Sequence, residues 1–191
     1  MSSGSVAMPI ITNLRITFFL LDRQSIEKVN EMLKDMKYVR TFSNFFIYHN
    51  RYIFTIFFNN DKIGVTKVRG ENDLENVIPH FCAIFSLHPC HVREEIRIDN
   101  ISASGTFSKK VNLAALQQRV NKSYIKGSGN ITIQFDRDIR PEAICRTFSI
   151  GNLTLFASGK YFVIGAKSVS NVKDLVKKVE NLVNGENVRP H

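Results

Sequence analysis

A chain of 191 residues with 43% hydrophobic and 23% charged content can bury a core as one sizeable domain or two small fused halves, and its composition is not that of a disordered protein. It has no run of eighteen or more apolar residues, which excludes a membrane-spanning helix, and its three cysteines, Cys82, Cys90 and Cys145, do not make a disulfide framework. The net charge of +9 points to an anionic partner, most often nucleic acid, and the surplus is uneven: 15 Lys+Arg against 7 Asp+Glu in residues 96–191, but 11 against 10 in residues 1–95.

The first nine residues are short, uncharged and without a long apolar stretch, so they read as an N-terminal tail rather than a secretory signal. Alternation and β-branched or aromatic enrichment then predict a strand over Ile10 to Leu20. Ile26, Val29, Leu33 and Met36 recur at three- and four-residue steps, which predicts a helix in "RQSIEKVNEMLKDMK". Strands follow in "FSNFFIYH", "RYIFTIFF" and "KIGVTKV". The segment "ENDLENVIPHFCAIFSL" predicts a long helix that starts near Asn76 or bends at Pro79. The second half repeats this order. Strands are expected in "IRIDNISASGTF", "NITIQF", "CRTFSI", "LTLFAS" and "KYFVIGA", with a helix in "KVNLAALQQRV" after the first of them. A last helix is expected from about Val169 to Val183, capped by Ser170 or Asn171 and ended by Gly185.

The two halves align as copies. Asn13 matches Asn100 at an offset of 87, while Phe58 with Phe156, Lys62 with Lys160 and Arg69 with Lys167 share an offset of 98. The growth in offset is assigned to extra residues around "DRDIRPEAI". A period near 90 is too long for a solenoid. The expected fold class is α+β: a pseudo-two-fold duplication whose strands merge into one antiparallel sheet with the helices on one face. The domain reading is a tail (1–9), a first repeat (10–95), a second repeat (96–185) and a C-terminal tail (186–191). An antiparallel sheet with one solvated face should alternate cleanly, yet "YIFTIFF" and "KYFVIGA" are apolar on both parities. The face without helices is therefore expected to be apolar enough to bind a partner.

The motif "LFASGKYFVIGAKS" (Leu155 to Ser168), followed by an amphipathic helix in a duplicated unit, resembles the core repeat of the TATA-box-binding protein family. Phe156, Ser158, Gly159, Lys160, Gly165, Ala166 and Lys167 carry the resemblance; Phe58, Lys62, Thr66 and Arg69 carry a weaker copy of it. The likeness implies a saddle, a curved antiparallel sheet with its helices on the convex face, and a non-enzymatic transcription initiation factor whose sheet binds and bends the minor groove at A/T-rich promoter elements, with phenylalanine wedges unstacking base steps. Its implied partners are double-stranded DNA, transcription initiation factors and the RNA polymerase machinery, with no membrane, small-molecule substrate or cofactor. Its implied location is the nucleus, or the viral transcription site if the chain is viral.

Carried over by position, the resemblance makes Asn13, Arg15, Phe42, Ile56, Phe58, Thr66, Asn100, Ser102, Phe156, Phe162 and Ile164 candidate DNA-facing residues. Lys62, Arg69, Lys160 and Lys167 are candidates against phosphates, which position a protein without specifying sequence. No fourth wedge phenylalanine is evident in "NKSYIKGSGNITIQF"; Tyr124 or Ile125 would take its place. Two other readings of the same sheet stand beside this one: a scaffold that binds transcription proteins without bending DNA, and a platform that stacks single-stranded bases. An enzyme finds little support. "SGK" lacks the upstream glycine and the following Ser or Thr of a phosphate loop. Cys82, His88, Cys90 and His91 lie close in sequence but match no zinc spacing.

Overall fold

The computed structural model describes residues 8–35, 39–41, 44–57, 60–125, 131–147 and 150–185. It divides into two compact units, Asn13–Asp99 and Asn100–His191, the latter together with Met1–Thr12.

In the Asn13–Asp99 unit, β1 (Ile10–Phe19, its first three residues grouped with the other unit) leads into α1 (Arg23–Asp35). Then come β2 (Val39–Thr41), β3 (Asn44–His49), β4 (Tyr52–Phe57), β5 (Lys62–Val68) and α2 (Leu74–Phe85). The strands pair antiparallel in the order β2-β3-β4-β5-β1. The Asn100–His191 unit repeats the plan with β6 (Arg97–Thr106), α3 (Leu113–Ile125), β7 (Ile131–Gln134), β8 (Glu142–Thr147), β9 (Gly151–Phe156), β10 (Lys160–Ala166) and α4 (Val169–Asn184), and the order is β6-β10-β9-β8-β7. Each unit is thus a five-stranded antiparallel sheet with two helices, of the expected α+β class.

The helices cover alternate residues of the strands. Leu14, Ile16 and Phe18 of β1, and Tyr52, Phe54 and Ile56 of β4, are buried. Phe18 and Phe54 meet Phe81 of α2 at 5.2 and 5.7 Å between ring centroids. In the other unit Leu153, Leu155, Tyr161 and Val163 are buried opposite Val172, Leu175, Val176 and Val179 of α4. Each second helix ends on a left-handed residue, Ser86 (φ 49°) or Gly185 (φ 84°). A cation from the first helix binds the carbonyls left open there: Lys28 Nζ donates to Ser86 O at 2.6 Å, and Arg119 donates to Leu182 O at 2.8 Å.

Several boundaries differ from the sequence reading, each for a local reason. Helix α2 starts at Leu74, behind a 3-10 turn at Glu71–Asp73, and continues through Pro79. Helix α4 is capped by Ser168, whose hydroxyl accepts from the Asn171 N–H at 3.1 Å, not by Ser170 or Asn171 themselves. Strand β8 begins at Glu142, inside the segment read as an insertion. The added residues of the second copy are spread instead: element starts are offset by 87 for β1 and β6, by 90 for α1 and α3, and by 98 for β3 and β8. Helix α3 runs to Ile125, so Tyr124 and Ile125 belong to its last turn rather than to a loop; their side chains lie outside the described residues.

The cysteines report on this packing. Cys145 is fully buried under β8 and its thiol is pushed up to about 12 by burial; burial also raises Cys82, whereas Cys90 is exposed. A thiolate is the reactive form. The native protein should therefore take up one equivalent of a thiol reagent quickly at pH 8, on Cys90, and the other two only after unfolding. Mass spectrometry of peptides from labelled protein checks this; rapid native labelling of Cys145 would contradict the assigned face of β8.

Candidate nucleic-acid interface on the open sheet faces

The strand residues that miss the helices form the candidate site, and register fixes which they are. On β4 the pattern alternates so that Ile53, Thr55 and Phe57 turn away from the helices. Ile56 does not: it is 1% exposed and sits in the core. Its predicted role at the interface is therefore corrected, because the ungapped match placed it one residue out of phase, and one residue reverses the face. The cause is visible in the strand bounds. β5 and β10 start 98 residues apart but β4 and β9 start 99 apart, since the β4–β5 connection holds one residue more than the β9–β10 turn. Phe57, the last residue of β4, is thus the counterpart of Phe156, the last residue of β9. Phe58, the expected match, and Phe42 lie outside the described residues.

On the open face of the Asn100–His191 unit, Phe156 packs edge to face against Phe162, with ring centroids 6.0 Å apart. Phe162 is 47% exposed and Ile164, two residues on, is 54% exposed. Half-exposed Thr154 and exposed Asn152 face Phe162 and Ile164 across the β9–β10 ladder, and Ser102 is half-exposed on β6. Sequence reasoning missed Asn152, Thr154 and the exposed Arg146 of β8, which the register places opposite Asn152. In the Asn13–Asp99 unit, Arg15 is exposed and Thr66 half-exposed. Phe46, Tyr48 and Phe57 were missed on that face; Tyr48 is 68% exposed. Strict parity counting from the buried Tyr52 and Phe54 would have found Phe57.

The two asparagines occupy matching locks. In each unit the final sheet strand makes a bulge against the first, between Leu14 and Ile16 and, correspondingly, beside Ile101 and Ala103. The bulge residue has positive φ: Lys67 at 65° and Gly165 at 91°. Its backbone N–H donates to a carboxamide oxygen, Lys67 to Asn13 Oδ1 at 2.8 Å and Gly165 to Asn100 Oδ1 at 2.7 Å. With Oδ1 occupied, each side chain presents its NH2 group as the remaining donor. The Asn100 Nδ2 makes one long contact to Ser102 Oγ at 3.4 Å.

The cations sit at the margins of these faces. Lys62 Nζ lies 5.3 Å from the centroid of the Phe57 ring. Arg69, Lys160 and Lys167 are exposed. Burial pushes the Asp99 carboxyl up, but hydrogen bonds from Thr17 (2.5 Å) and Arg97 (2.9 Å), with the charges of Arg97 and Lys62, outweigh it and hold the group below its usual range. Two shallow clefts, of about 370 and 420 Å³, are lined by Lys109, Lys110 and Arg119 and by Leu20, Asp22 and Arg93 respectively, and by none of the open-face residues. Among the described residues no group of three or more His, Cys, Asp or Glu side chains could hold a metal ion.

Comparison with known proteins follows these lines. A family model described as "Transcription factor TFIID (or TATA-binding protein, TBP)" matches residues 95–184, the copy that carries the sharper motif. No curated protein sequence matches the chain significantly. Among solved structures, the TATA-binding protein of Methanococcus jannaschii superposes with a TM-score of 0.69 at 16% identity, covering 94% of this chain and 99% of that one. The family's sequence signature thus lies in residues 95–184, and the fold along nearly the whole chain is similar to that of a solved TATA-binding protein.

Proposed function

We propose that the open sheet faces bind the minor groove of A/T-rich double-stranded DNA and bend it, as a step in assembling transcription initiation factors and RNA polymerase at a promoter, in the nucleus or at a viral transcription site. The observation that carries this reading is the exposed apolar surface of Phe156, Phe162 and Ile164 on a sheet face that the helices leave uncovered. A soluble chain that keeps such surface bare on a basic scaffold has a use for it. Apolar wedges unstack base steps at a cost of a few kcal/mol, which the larger contact with bent DNA offsets. Minor-groove edges of A·T pairs carry only acceptors, adenine N3 and thymine O2. The carboxamide NH2 groups of Asn13 and Asn100 are donors, so they match that edge. Exposed Arg15 suits a narrow groove with enhanced negative potential, and Lys62, Arg69, Lys160 and Lys167 supply charge toward phosphates.

The test is a short A/T-rich duplex with a dye at each end. Bending brings the dyes together and raises energy transfer on binding. Phe156→Ala should abolish most of the rise and weaken binding by roughly 5- to 100-fold, the range expected for losing one aromatic contact with a base. Lys173→Ala, an exposed change on α4, should leave both within twofold. Equal effects of the two changes would reject the wedge role of Phe156. Binding without bending, binding to single strands in preference to duplex, or no nucleic-acid binding at all would each replace the reading with a different one: a straight-duplex binder, a stacking platform, or a protein scaffold.

A further inference from the structure

The open face of the Asn100–His191 unit carries one feature that fits poorly with a pure A·T site. Glu142 lies directly opposite Phe156 in the β8–β9 ladder. It is half-exposed and shares the open face with Ile144 and Arg146, while Ala143 and Cys145 of the same strand are buried on the helix side. Directly opposed residues of an antiparallel pair have Cβ atoms about 5 Å apart. Whatever Phe156 touches, the Glu142 carboxylate is beside it. Among the described residues Glu142 has no ion pair or hydrogen bond. The matching position in the other unit, opposite Phe57, is the neutral Asn44. The asymmetry therefore belongs to one copy alone.

An ionised carboxylate only accepts hydrogen bonds. Against an A·T pair it meets acceptors, with phosphates behind them, and loses hydration without a partner. A G·C pair adds the one donor that the minor groove offers, the guanine 2-amino group, and a hydrogen bond to a charged acceptor is among the stronger ones. Resting on the minor-groove reading above, we propose that Glu142 sets sequence preference: it makes the second unit favour a G·C pair at the step contacted by Phe156, inside a site that is otherwise A/T-rich.

The experiment walks a single G·C pair through an A/T-rich duplex and measures competition against the all-A/T parent. Wild type should prefer G·C at one position by on the order of tenfold, as one good base contact provides. Replacing that guanine by inosine deletes the 2-amino group and leaves the major-groove edge intact, so the preference should vanish. Placing 2,6-diaminopurine for adenine at the same position should create it. Glu142→Ala should lose the preference and bind the all-A/T duplex more tightly than wild type, and Glu142→Gln, able to donate as well as accept, should bind both duplexes alike. Both variants change a half-exposed side chain, and unchanged thermal unfolding confirms that they are folded. Indifference of wild type to guanine against inosine, or a preference that survives Glu142→Ala, overturns the proposal while leaving minor-groove binding intact. Failure of wild type to bind any duplex overturns both.

Discussion

Phe81→Ala is expected to remove about 3–5 kcal/mol of stability, the range for deleting a buried phenylalanine. The ring is fully buried and meets three others, Phe18 at 5.2 Å, Phe54 at 5.7 Å and Phe85 at 4.9 Å between centroids. Edge-on and tilted aromatic pairs add to simple area burial, so the loss includes partners as well as volume. A typical domain has only about 5–15 kcal/mol in total. The corresponding position in the other unit is Val179, also fully buried, and Val179→Ala should cost roughly 2 kcal/mol, since it removes less volume and no ring contacts. Denaturant unfolding of both variants checks the pair; a midpoint shift for Phe81→Ala no larger than for Val179→Ala would mean that the aromatic cluster does not hold its unit together.

Gly105→Ala is expected to cost about 1–3 kcal/mol through overpacking, although the change adds one methyl group to a strand. A Cβ at position 105 would stand 2.2 Å from the Tyr161 hydroxyl oxygen and 2.4 Å from the ring carbon that bears it. Tyr161 is Gly105's register partner, is 1% exposed, and its hydroxyl has no hydrogen-bond partner among the described residues. The equivalent pair in the other unit is Phe18 opposite Ile63, both buried. One copy places the large ring on the first strand, and the other places it on the last. Tyr161→Ile should therefore relieve the clash, and the double variant Gly105→Phe with Tyr161→Ile rebuilds the Phe18–Ile63 arrangement. In a double-mutant cycle the two changes should be non-additive by at least about 1 kcal/mol in the rescuing direction. Additive losses would show that the ring and the glycine do not share one space.

This exchange of volume explains what the sequence did and did not disclose. The strands Lys62–Val68 and Lys160–Ala166 were legible to the residue, because each is a β-rich run that starts at a lysine and ends at a bulge. The duplication was legible at Asn13 and Asn100 because the bulge needs that carboxamide in both copies. It was hidden in the core: Phe18 matches Gly105 and Phe54 matches Leu153, so the cores agree in shape and not in residue type. The interface was harder still. Apolar residues on both parities of "YIFTIFF" marked β4 as two-faced but gave no sign of which parity was covered, and an extra residue in the following connection shifted the match by one. That single residue put the buried Ile56 in the place of the outward Thr55, and Phe58 in the place of Phe57. Glu142 escaped notice because its strand begins inside what looked like a loop.

Lys67 and Gly165 supply the same N–H to the same kind of carboxamide, yet only one of them has a side chain. A left-handed lysine costs the backbone on the order of 1 kcal/mol that glycine avoids. In return the scaffold gains an address where the side chain answers to nothing in the core. Charge can be written there or erased without disturbing the asparagine beneath it, so the two copies are free to drift apart in how they greet a polyanion while still folding by one recipe.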